Sequence, residues 1–129
     1  MESLHDQIGR WLRQAEHDLE TARKLVDFGA FDHAAFLAQQ AAEKSLKALW
    51  MSKQKRISPR THDLVRLAME LAAPPEIIEA ARMMAGDYMA TRYPDVGDDI
   101  PAKTYTAEDA DRRVAAAAQV CGWVKDGFS

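Results

Sequence analysis

Between Phe36 and Trp50 the chain sets an amide, a carboxylate and an ammonium in line with two large aromatics: Phe36, Gln40, Glu43, Lys47 and Trp50. On a helix these five project from one side, with Lys44 at their edge. The opposite side is a broad apolar face of Ala34, Ala35, Ala38, Ala41, Ala42, Leu46 and Leu49. Glu43 and Lys47 have the i, i+4 order of a surface ion pair worth about 0.2–0.5 kcal/mol. Taken alone, that is the expected role. The aromatics in the same row point to a second one, a face that meets something other than water. Lys47 would hold a phosphate there, Glu43 would orient it, and Phe36 and Trp50 would supply stacking area.

Three further groups have types suited to chemistry. Arg92 ends the row Ile77, Ala81, Met84, Ala85, Tyr88 and is followed by Tyr93-Pro94-Asp95. A guanidinium there either satisfies the last carbonyls of its helix or grips a phosphate or carboxylate by two parallel hydrogen bonds. Asp18 lies between Ala15 and Ala22 at the edge of an apolar stripe. It is either an exposed boundary residue or a carboxylate turned inward to pair with Arg92 or a lysine. Arg56 and His62 stand close in sequence, and such a pair can bind a phosphodiester and move its proton. The simpler expectation puts His62 at the first turn of a short helix with no chemical role. The histidines His5, His17, His33 and His62 lack zinc-ligand spacing, so no metal is expected. No phosphate-binding glycine loop, dinucleotide fingerprint or nucleophile elbow is present, so no cofactor is expected. Cys121, the only cysteine, is expected to be a small core filler.

The elements that must position these groups are all helical, since no segment shows strand alternation. Ser3 starts a first helix with the stripe Leu4, Ile8, Trp11, Leu12, Ala15, Leu19, Ala22, Leu25 and Val26, and Gly29 ends it. A second long helix runs from about Phe31 to Ser52 and must fold back on the first. Lys53 to Arg60 is a basic loop. Thr61 caps a short helix bearing Leu64, Leu67, Ala68 and Leu71. Pro75 opens a long helix that Pro94 stops, and Asp95 to Lys103 is an acidic loop. Thr106 and Asp109 form a capping box for a last helix that presents Ala107, Ala110, Val114, Ala117, Ala118, Cys121 and Val124 inward. The expected product is an all-α up-and-down antiparallel bundle of four long helices and one short one.

A chain of 129 residues with 47% hydrophobic and 29% charged content suits one soluble domain with a real core. The net charge of -3 makes no overall case for nucleic acid or an anionic membrane. Its distribution is uneven. Lys44, Lys47, Lys53, Lys55, Arg56 and Arg60 occur with no acid between Lys44 and His62, whereas Asp95 to Asp111 holds six acids against Lys103. Such polarity either steers an anion, pairs the poles of two subunits, or marks two solvated loops. A lone cysteine, no apolar leader after Met1 and no membrane-length run predict a cytoplasmic protein with no membrane partner.

In order along the chain come Trp11 with Ala15, Asp18, Leu19 and Ala22; Phe36, Gln40, Ala41, Glu43, Lys44, Leu46 and Lys47; Thr61-His62-Asp63-Leu64; Arg92-Tyr93-Pro94-Asp95; then Pro101 and Tyr105. This ordered set resembles the HEPN family, small helical domains of higher eukaryotes and prokaryotes. The resemblance implies a single domain over 1–129, a four- to five-helix bundle and a homodimer. Many members stand beside a minimal nucleotidyltransferase in a two-component or toxin–antitoxin pair. In ribonuclease members the site is an Arg, four to six residues, then His. Arg92 matches that Arg, but YPDVGDDIPAK follows it, with Asp98 and Asp99 where the histidine would stand. What the resemblance implies is therefore a non-catalytic module that binds a nucleotide or a partner. Its ligand contacts would be Gln40, Glu43, Lys47 and Arg92, its interface residues Phe36, Trp50 and Tyr93, and its secondary candidates Asp18, Arg56 and His62. Two alternatives stay open: a metal-independent ribonuclease toxin using Arg92 or the Arg56–His62 pair, and an adaptor whose polar stripe recognises protein alone.

Overall fold

The Ser3 hydroxyl accepts the Asp6 amide at 3.0 Å and begins α1 (Leu4–Phe28), and Gly29, at φ 92°, takes the left-handed turn that ends it. The computed structural model describes residues 2–128. Met1 and Ser129, the two ends of the expected domain, lie outside the described residues. Only Gly29 and Ala30 separate α1 from α2 (Phe31–Gln54), so the two helices pack antiparallel. The remaining helices are α3 (Leu64–Glu70), α4 (Pro75–Met83), α5 (Asp87–Arg92), α6 (Pro101–Thr104) and α7 (Ala107–Gly127), with no strand among the described residues. The all-α bundle is the expected fold. None of these helices is long and apolar enough to cross a membrane.

Helix α2 is the axis of the bundle, packed against α1, α3, α5, α6 and α7. Its alanine face lets neighbouring backbones come close. Cys121 Sγ on α7 lies 3.7 Å from the Ala41 carbonyl oxygen and accepts the Ser45 hydroxyl proton at 3.2 Å. Further along, Gly127 leaves room for Leu49, whose Cδ2 would lie 3.2 Å from any added Cβ. Contacts that advance together along both helices make α7 parallel to α2. The segment before α7 therefore sits at the beginning of α2, and the loop after α2 leaves its other end, about 36 Å away, and returns to mid-helix, where the Gln39 side chain donates to the His62 carbonyl.

Several boundaries differ from the sequence expectation. The cap of α3 is Asp63, whose side chain accepts the Arg66 amide at 3.1 Å; Thr61 instead accepts the Asp63 amide one step earlier. The expected fourth long helix breaks at Met84–Gly86. There the amides of Met84, Ala85 and Asp87 bond to carbonyls three residues back, a tighter winding than the α-helix. Gly86, a poor helix former, lies in that break. The acidic loop holds one helical turn, α6. On α7, Ala107 is exposed, whereas Ala116 and Val120 join Ala110, Ala117 and Val124 in the core. Burial pushes the Cys121 thiol up, as expected of a filler and not of a nucleophile.

The break lets α5 swing over α2, and a buried carboxylate fixes it there. Asp87 accepts the Tyr105 hydroxyl at 2.7 Å and Arg113 Nε at 3.0 Å, tying α5 to the start of α7. Burial pushes the Asp87 carboxyl above its ordinary range, with Tyr105 and Arg113 opposing the rise. The native state therefore holds this proton more tightly than the unfolded chain does. Its contribution is complete below the unfolded value, about pH 4, and is lost as pH rises through the native value. In urea denaturation at a series of pH values, the stability difference between wild type and Asp87→Asn is expected to decline upward from about pH 4.

Candidate functional site

The acid–base row of α2 is not on the surface. Glu43 and Lys47 are 4% and 5% exposed, which corrects the expected solvated ion pair. A buried carboxylate must be paired and hydrogen-bonded, and Glu43 is. Its Oε2 accepts Lys47 Nζ at 3.1 Å. Its Oε1 accepts Gln39 Nε2 at 3.1 Å and lies 2.9 Å from His62 Nδ1. Gln39 in turn accepts Gln40 Nε2 at 2.8 Å. No buried side-chain nitrogen or oxygen among the described residues lacks a partner.

Because a carboxylate can only accept, Nδ1 carries the proton, which leaves Nε2 of the half-exposed ring as its acceptor atom. His62 thus precedes α3 and is drawn into the cluster, in place of the structural first-turn role expected for it. Its imidazole stacks on Tyr88 of α5, with centroids 3.7 Å apart and planes 14° apart. Phe36 meets the same tyrosine at 6.3 Å. On α5, Arg92 donates to the Tyr88 hydroxyl, with its guanidinium carbon 4.6 Å from the centroid of that ring and 5.7 Å from that of Tyr93. The row therefore runs Lys47, Glu43, His62, Tyr88, Arg92, from a buried ion pair to an exposed cation.

A second buried carboxylate flanks it. Asp18 of α1 is held by Lys44 and accepts Gln14 Nε2 at 2.8 Å, so it is the inward carboxylate paired with a lysine. Trp11 closes the α1 side, with Lys47 Nζ 5.6 Å from its ring centroid. Lys44 and Lys47 are thus spent inside the fold and drop out of the basic pole.

Other candidates fall elsewhere. Trp50 is a core residue and offers no interface area, a correction that follows from α2 being covered on every side. Arg56 lies over the Trp50 ring at 5.2 Å, and no contact joins it to His62. Phe36 and Gln40 are half-buried, and Arg92 and Tyr93 are exposed. Tyr88 and Gln39 carry the cluster but were not singled out in the sequence. The available signal was their position four residues before Arg92 and Glu43, one turn back on the same helix side. No group of side chains suited to holding a metal ion occurs among the described residues.

Known proteins share this fold over more than nine-tenths of the chain. The family model described as HEPN domain matches residues 8–127. The chain is similar to ST0689, an archaeal HEPN homologue, at 35% identity and TM-score 0.81, covering 100% of both chains. It is also similar to TT1696 from Thermus thermophilus, at 29% identity and TM-score 0.86, covering 94% of this chain and 98% of that one. A HEPN domain protein from Thermotoga maritima (TM0613) aligns at 25% identity and TM-score 0.71, covering 91% of this chain and 95% of that one. No curated protein matches the chain.

Removing one member of a buried ion pair strands the other. Glu43→Ala is expected to lower unfolding free energy by about 3–5 kcal/mol in urea titrations followed by circular dichroism. Removing both charges together, as Glu43→Leu with Lys47→Met, is expected to return most of that loss. Additive losses in the double variant would show that the two side chains are not coupled.

Proposed function

This chain belongs to the HEPN family, and from that membership we propose that it is a non-catalytic, homodimeric module that binds a nucleotide or partner beside Arg92. A minimal nucleotidyltransferase, in a two-component or toxin–antitoxin arrangement, is its proposed companion. The observation that carries the binding proposal is the convergence of His62 and Arg92 on one ring, that of Tyr88 on α5. Glu43 is offset by Lys47, so Arg92 is the uncompensated charge at the outer end and favours an anionic group. One of its five donors is engaged by Tyr88, which leaves the others for phosphate oxygens. His62 Nε2 and Gln40 complete the polar edge, and Tyr93 supplies exposed aromatic area. In this reading Glu43 and Lys47 position the imidazole and do not touch the ligand.

Isothermal titration with ATP and with a short RNA tests the proposal. Arg92→Ala is expected to weaken binding of the anionic ligand by roughly tenfold to a hundredfold, the worth of a hydrogen bond to a charged group. Equal binding by wild type and variant would remove Arg92 from the site. Light scattering tests the homodimer separately.

One geometric fact favours a second reading, the metal-independent ribonuclease. The chain lacks a histidine after Arg92, yet His62 comes from another element to the same tyrosine, with its Nδ1 proton held by Glu43. Such an imidazole is suited to moving a proton at a phosphodiester. This reading expects RNA cleavage in EDTA that is lost in His62→Ala; intact RNA after prolonged incubation with the wild-type chain would exclude it.

A further inference from the structure

Ser45 lies midway between Glu43 and Lys47 in sequence, so on α2 it stands about 200° round the axis from either, away from the polar row. On that side α1, α2 and α7 border an open groove of about 660 Å³, within the size range of small-molecule sites. Ser45 and Cys121 form its floor. Their polar atoms are already engaged: the Ser45 hydroxyl donates to Cys121 Sγ at 3.2 Å, and Sγ lies 3.7 Å from the Ala41 carbonyl oxygen. The floor therefore asks nothing polar of an occupant. Leu12 and Leu19 of α1 make one wall, Ala118 and Gly122 of α7 the other, and Phe128 stands at one end. Along α1 the lining extends from Leu12 to Arg23, about 16 Å.

Two features of this groove have no account in the packing of the chain. Glycine is the poorest helix former after proline, yet Gly122 stands inside α7. A Cβ there would meet nothing within 4 Å, so no neighbouring element requires the bare backbone. The second feature is Arg23. On the rim, Glu16 is answered by Lys125 across the groove at 4.0 Å, and Glu20 by Lys24 at 3.6 Å. Arg23 joins no ion pair among the described residues. Burial raises the Cys121 thiol, and the Arg23 charge is close enough to the floor to oppose that rise.

We propose that the groove binds a medium-chain carboxylate, with its acyl tail along Leu12, Leu19 and Gly122 and its head on the Arg23 guanidinium. A guanidinium takes a carboxylate by two parallel hydrogen bonds. One unanswered cation beside Glu16 and Glu20 favours a monoanion, since both acids repel a dianionic phosphate. The tail gains by leaving water for a wall whose polar atoms are satisfied. This site lies across α2 from the row that ends at Arg92, and neither depends on the other.

Isothermal titration of the whole chain with octanoate, decanoate and dodecanoate, each below its micellar concentration, tests the proposal. Kd is expected to fall roughly threefold to fourfold with each added methylene. Arg23→Gln is expected to weaken decanoate by about tenfold or more and to leave decanol unchanged, because only the charged hydrogen bonds are lost. Gly122→Leu fills the groove with a better helix former. It is expected to weaken decanoate at least about a hundredfold while the thermal midpoint stays at or above that of wild type. Both positions are exposed, and circular dichroism checks that the variants remain helical. A wild-type chain that binds none of the three acids would overturn the proposal; this is also the result expected if a helix of another protein fills the groove. Decanoate binding that survives Gly122→Leu, or that is no tighter than decanol in the wild type, would overturn it as well. Titration with ATP or RNA is expected to be unchanged in Arg23→Gln, which keeps this test separate from that of Arg92.

Discussion

A carboxylate inside a helical bundle has to be surrounded by donors, and Glu43 sets that requirement at the centre of this molecule. It draws on two elements to meet it: Gln39 and Lys47 from its own helix, and His62 from the segment before α3. Once the imidazole is held, its free face defines where Tyr88 can stack, and Tyr88 in turn carries Arg92. One buried charge thus fixes the order of a row that ends at the surface. An apolar residue of similar volume in place of the ion pair would pack without these demands. The retained charges are best understood through what they hold in position.

The polar row can be internal because α2 is covered on all sides. Alanines on one side admit α7 to within contact of the α2 backbone, and α1 closes beside it. The remaining side would be open if the row after Pro75 were one straight helix. The break at Met84–Gly86 allows α5 to take its own direction, and the Asp87–Arg113–Tyr105 contacts pin it to the start of α7. Two buried carboxylates, Glu43 and Asp87, therefore cooperate from different helices. Asp87 fixes where α5 lies, and Glu43 fixes the ring against which the next residue, Tyr88, packs.

The same architecture separates charge. Lysines near the middle of α2 are consumed by Glu43 and by Asp18, so the unpaired lysines towards the end of α2 begin at Lys53. Because α7 runs parallel to α2, the acidic approach to α7 is carried to the opposite end. The polarity is a consequence of helix direction.

What could be known from residue order alone was the class of fold and most of its punctuation. The Ser3 cap, the Gly29 stop, Pro75 at a first turn and the Thr106–Asp109 capping box act locally, within one turn of the chain. The ordered polar and aromatic positions also pointed to the family. Periodicity identified a polar row on α2, but it reports only that one side differs from the other. Whether that side faces water depends on α3 and α5, which lie far away along the chain. The partnership of Glu43 with a histidine 19 residues on, and of Asp18 with a lysine 26 residues on, is likewise non-local. Tertiary structure decided those contacts, moved Trp50 from surface to core and sent Arg56 away from His62, because burial is a property of what neighbouring helices cover and not of the row itself.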